Sequence, residues 1–249
     1  MHLKSQMQYK TSFFLAFFGN FLVSFTVLMG IIFMFSRFNE VEGFTFEEVL
    51  LCFAIMIMAH ALAEVFGRGF DLFPQMLGNG EFDRALVRPR GIIFLVLGMK
   101  MDFTRLARVL QAILVFAYAI PNSSVIWTAD KILTLVLMVA CGTLLFFAMF
   151  VIYAACTFFT LEGLEALNIF IYGGREFGRY PFGVYGEGIL RFLTFVIPLA
   201  LVQYYPLLFL LGRESNRLFM LAPLSSLLFL IPAYSLFRFG LSRYKSTGS

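Results

Sequence analysis

His60, Glu64 and Arg68 recur at every fourth position, which on a helix places them on one face. A histidine one turn from a carboxylate can relay protons, and ionisable groups at membrane depth often mark a pathway. The same spacing also makes a plain ladder at a helix end, with Glu64 neutralised by Arg68 near the headgroups. Few acidic partners lie in the other apolar runs, which favours the ladder. His2 and His60 are the only histidines, so a hydrolytic or redox centre has little to be built from. The chain has no H-E-x-x-H, no G-x-S-x-G and no phosphate loop; Lys245-Ser246-Thr247 lacks the glycine-rich turn that would precede it. Cys52, Cys141 and Cys156 lie in apolar runs, are odd in number and form no C-x-x-C pair, so neither zinc nor a disulfide framework is indicated. These absences predict a chain that is not itself an enzyme and holds no metal or cofactor.

A second candidate is the segment 78–89, GNGEFDRALVRP. Asn79 is placed to cap a helix, and Glu81 and Asp83 would sit in its first turn, where acids suit the dipole. Phe82, Ala85 and Leu86 fall at i, i+3 and i+4 and make one apolar stripe. Pro89 disfavours helical geometry at Arg88 and ends the element. The prediction is a two-turn amphipathic helix, too short to stand alone. Its stripe must pack either on the chain's own membrane domain or lipid interface, or on a separate cytoplasmic protein. Two prolines, Pro198 and Pro232, lie inside apolar runs, where each permits a kink that would serve as a hinge or as static packing. Tyr180, Phe182, Tyr185, Tyr204 and Tyr205 read as interfacial aromatic belts.

The elements that must position these residues follow from composition. Of 249 residues, 60% are apolar and only 14% charged, with 34 Phe and a mean hydropathy of +0.86. That lies far from a soluble domain and excludes an ordinary cytosolic enzyme, a disordered chain or a secreted disulfide scaffold. At about 20 residues per crossing, the apolar runs give six helical spans near 11–35, 49–66, 109–120, 132–159, 189–205 and 221–237. A cleaved signal peptide has a shorter apolar core than the first run, which is therefore expected to stay as a helix behind an interfacial lead-in. Residues 67–108 and 161–188 read as polar, glycine-punctuated connections, and 206–220 as an outer segment dipping into the membrane. Fifteen of the Lys and Arg residues fall on one side of this arrangement; Arg37, Lys131, Arg213 and Arg217 fall on the other. The bias puts both termini in the cytoplasm. The fold expected is a single all-α polytopic membrane domain over 1–249.

Three segments on this frame, GEFDRALVRP (80–89), IPLALVQYYP (197–206) and GLSRYKSTGS (240–249), resemble the six-helix permeases of ABC-type-2 transporters. The resemblance is nearest to a short bacterial branch in which permeases are often paired beside one ATPase. It implies that the connection after the second span carries a coupling helix docking into a cytoplasmic ATPase. Glu81, Phe82, Asp83, Arg84, Leu86 and Arg88 would form that helix, with Phe82 and Leu86 as its apolar anchors. It further implies export across the bacterial inner membrane, ATP and Mg held by the partner ATPase, and a second permease copy or paralogue. Lipid, but no nucleic acid, would be a further partner. A proton-coupled secondary transporter or channel using His60 and Glu64 is the competing reading, and a scaffold without transport is a third.

Overall fold

The computed structural model describes residues 7–87, 91–160 and 165–244. A helix α1, Lys10–Phe35, leads to a two-residue hairpin, β1 Glu40–Val41 and β2 Phe44–Thr45. Glu42 and Gly43 both take positive φ at its tip, as a tight primed turn requires. Next comes α2, Phe46–Asp71, apolar almost all round and buried along most of its length. A helix hydrophobic on every face belongs in the middle of its domain, and α2 packs between α6, Leu106–Asn122, and α7, Ala129–Thr157. Three short helices join α2 to α6: α3, Phe73–Gly78, α4, Glu81–Leu86, and α5, Ile92–Met99.

Five helical stretches are long and apolar enough to cross a membrane: Lys10–Phe35, Phe46–Gly78, Phe103–Asn122, Ala129–Thr157 and Arg217–Arg243. A sixth crossing would have to be a broken one. The expected continuous fifth span, 189–205, is instead α9, Glu187–Phe195, turning by 88° into α10, Leu199–Val202, and α11, Tyr204–Leu210. Pro198 causes the break: it has no N–H to donate, and it drives Ile197 away from helical geometry. The last crossing is milder. Its halves, α12 Arg217–Ser226 and α13 Leu230–Arg243, are joined by a 3-10 turn at Leu227–Phe229 just before Pro232. Pro232 therefore tightens a span where Pro198 ends one.

Two ends of the bundle can be distinguished. The hairpin end holds β1–β2, where Arg213 donates to the Gly43 carbonyl (2.6 Å) and the Glu48 carboxylate (2.5 Å) over the face of Phe44. The basic end holds α3–α5 and the close of α13. Segment 206–220, expected to dip into the membrane, is a corner at the hairpin end: α11 finishes at Leu210, Gly212 turns with φ of 75°, and α12 begins. The stretch expected to be a polar connection is helical and folds back on itself. There α8, Glu165–Phe177, runs back along α2 and pairs with α9 through Phe170 on Phe192 and Phe177 on Tyr185. The turn between them reaches Cys52 and Met34, well toward the hairpin end. Gly178 permits this approach, since a Cβ there would lie 2.5 Å from Met56.

Candidate functional site

At the basic end α4 forms a foot. Gly80, at φ of 67°, lets the chain reverse out of α3 and takes the cap position expected for Asn79, which instead closes α3. Phe82 and Ala85 turn inward. Phe82 is wholly buried, edge-on to Phe73 (4.9 Å between ring centres) and against Phe158 and Tyr244. This corrects the expected role of Phe82 as an outward anchor, because Phe82 and Ala85 use their part of the stripe on the chain's own core, while Leu86 stays exposed. Burying such a ring contributes about 2–3 kcal/mol, which is what a two-turn helix needs to persist. Asp83 accepts from the Tyr244 hydroxyl (2.9 Å), and Lys100 stands 3.9 Å from Glu81. Burial and the Asp83 carboxylate together push the Tyr244 hydroxyl up to about 12. Arg84, Leu86 and Val87 point outward, Val87 with 83% of its surface free. Arg88 lies outside the described residues.

A second constellation sits deeper. Glu64 is only 1% exposed, yet Arg68 does not neutralise it. Arg68 is drawn instead to Asp71 and toward Asp102 (3.9 Å). The partners of Glu64 come from the start of the third span: Arg108 at 2.5 Å and Arg105 at 3.6 Å. Arg105 is shared with Asp102 (3.1 Å) and with Asn20 of α1 (3.3 Å). Burial acts against the Asp102 carboxylate, but hydrogen bonds from Thr104 and the Arg105 charge hold it below the usual carboxylate range. His60 is fully buried, boxed by Phe146, Phe150 and Tyr172. Its Nδ1 lies 3.4 Å from Glu64 but out of line for a hydrogen bond, and neither ring nitrogen has such a partner among the described residues. A carboxylate clamped by two guanidinium groups is an anchor, and this geometry favours the structural reading of the pair over a relay.

Above this anchor lies a cavity of about 210 Å³. Val23 and Val27 of α1 with Phe53 and Ile57 of α2 make its apolar wall. Arg108, Arg175, Glu176 and Arg179 make its polar one. Arg175 donates to Glu176 through Nε (3.0 Å) and Nη2 (2.6 Å), and Arg179 pairs with the other oxygen of the same carboxylate. The sequence reading placed Arg175 and Arg179 among loop cations. Their neighbours in the middle of α1 and α2 bring them inside the bundle, and the excess of basic residues at the basic end survives their removal. Gln203, also missed, pins the re-entrant turn: it donates to the Tyr180 carbonyl (2.8 Å) and accepts from the Phe182 amide (3.1 Å). A lone amide in the apolar run 195–212 was the available signal. Pro198 and Pro232 contribute no side chain to this cavity.

A family model described as ABC-2 family transporter protein matches residues 21–248. No curated protein and no solved structure matches the chain.

Proposed function

The chain belongs to the ABC-2 family of transporter proteins, and on that premise we propose that this membrane permease exports its substrate across the bacterial inner membrane, driven by ATP that separate subunits hydrolyse. Two permeases, identical or paired, would combine with two cytoplasmic ATPase subunits. Both termini and the foot would then face the cytoplasm, in keeping with the lysine and arginine bias. ATP and Mg would be held by the ATPase.

The foot carries this reading. It is the short helix that the bundle grips from behind by Phe82 while leaving Arg84, Leu86 and Val87 unoccupied on the outside. Closure of the ATPase dimer would press on that outer face and move the ends of α2 and α6 to which the foot is joined. No proton-carrying role is assigned to His60 and Glu64.

The test uses the permease co-expressed with its ATPase. The substitution Val87→Asp changes a residue with most of its surface free, so its effect on permease stability should stay within about 0.5 kcal/mol. Co-purification of the ATPase and ATP-dependent transport in proteoliposomes should both be lost. Unchanged association and transport would show that the motor grips elsewhere. A charge at Phe82 is the wrong probe, because it would be buried among aromatic rings.

A further inference from the structure

The cavity between α1, α2 and the re-entrant turn has two unlike walls, aliphatic and aromatic on one side and charged on the other. Its charged wall is unbalanced. Arg105 has Asp102 and shares Glu64 with Arg108, while Arg175 and Arg179 divide the single carboxylate of Glu176. Among the described residues this leaves one guanidinium in excess beside the cavity. Each guanidinium carries five donors in a fixed fork. Protein partners take up Nη1 of Arg108, Nε and Nη2 of Arg175 and Nη2 of Arg179, so several donors remain for something else. Arginine matches the paired oxygens of phosphate and carboxylate. An excess cation at membrane depth is costly when left alone. The volume equals that of about seven waters, enough for one such group and the beginning of a chain. Val23, at the mouth, is 64% exposed on the flank of α1, so the cavity opens where lipid tails would lie.

We propose that this cavity binds an amphipathic anion, its phosphate or carboxylate group held by Arg108, Arg175 and Arg179 and its apolar part leaving along Val23 and Val27. The inference rests on the permease reading only in regarding that ligand as cargo; binding itself requires no ATPase.

The experiment follows thermal unfolding of the full chain in a neutral detergent, titrated with dioctanoyl phosphatidic acid, with dioctanoylglycerol and with inorganic phosphate. Phosphatidic acid should raise the melting temperature saturably, and the other two should not. Arg179→Gln should weaken apparent affinity on the order of tenfold, and Arg179→Lys by less, because the charge stays. Val27→Phe, which narrows the apolar wall without touching an ion pair, should also abolish the shift and thereby covers the case in which Arg179→Gln folds poorly. Equal shifts with dioctanoylglycerol, or a shift indifferent to both Arg179→Gln and Val27→Phe, would overturn the site. An equal response to inorganic phosphate would overturn its amphipathic character. Failure here leaves the ATPase-docking test untouched, and failure there leaves this result standing.

Discussion

The foot and the buried charge network lie within one helix length of each other and are held by opposite means. The foot is anchored by Phe82 among other rings and turns Arg84, Leu86 and Val87 out. The network is anchored by Glu64 between two arginines and turns one of them, Arg108, toward a cavity. An apolar anchor weakens by degrees as atoms are removed, since each loses its own share of burial. A buried charge fails as a unit, because deleting one partner strands the others where water cannot reach them. A device meant to be gripped from outside can tolerate the first arrangement.

That contrast can be broken by substitution. The largest effect is expected at Glu64→Gln, which leaves Arg105 and Arg108 facing an amide and should cost about 3–5 kcal/mol. The readout is a large fall in melting temperature or loss of the monodisperse peak in detergent. A protein of near-native stability would show the arginines to be solvated and the anchor unimportant. Phe82→Ala comes next, at about 3 kcal/mol, and its loss should be local. Proteolysis should open sites within residues 79–87 while the spans stay protected, and ATPase association should fall. If the whole bundle melts together, the foot is part of the core rather than an appendage.

Asp102→Asn, which keeps the cap to Thr104 but removes the charge facing Arg105, sharpens the comparison at the smallest scale, at most about 1 kcal/mol at neutral pH. Folding lowers the Asp102 carboxyl below its ordinary value. Its contribution is therefore complete above the unfolded value of about 4 and is lost as pH falls through the folded one. The gap in melting temperature between wild type and variant should accordingly close in acid. A gap constant down to pH 3 would mean that the carboxylate's charge does not matter.

The same contrast explains what the sequence disclosed. Phe82, Ala85 and Leu86 reveal a helix because their spacing is local. Which partner the stripe meets is not local, and Phe82 found Phe158 and Tyr244 from two distant spans. Glu64 looked paired with Arg68 by the same local rule, but Asp71 lies one turn beyond and competes for that arginine. The true partner is 44 residues along the chain. Long apolar runs made the uninterrupted spans readable. The re-entrant pair was not, because α8 carries a Gly-Gly and three charged residues that read as a loop until Gln203 and Met56 give its end somewhere to sit. Pro198 was visible, though its weight was not: a kink and a right-angle break begin from the same missing N–H.

Gly69 deserves its place for a mechanical reason. A Cβ there would fall 2.1 Å from the Val96 carbonyl oxygen, so α2 and α5 mesh main chain against main chain with no side chain as a cushion. Soft, rotatable groups at that contact would absorb a displacement before passing it on. On the proposed reading, a shove on the foot's neighbour would arrive with little backlash at the helix bearing Glu64, five residues from Gly69.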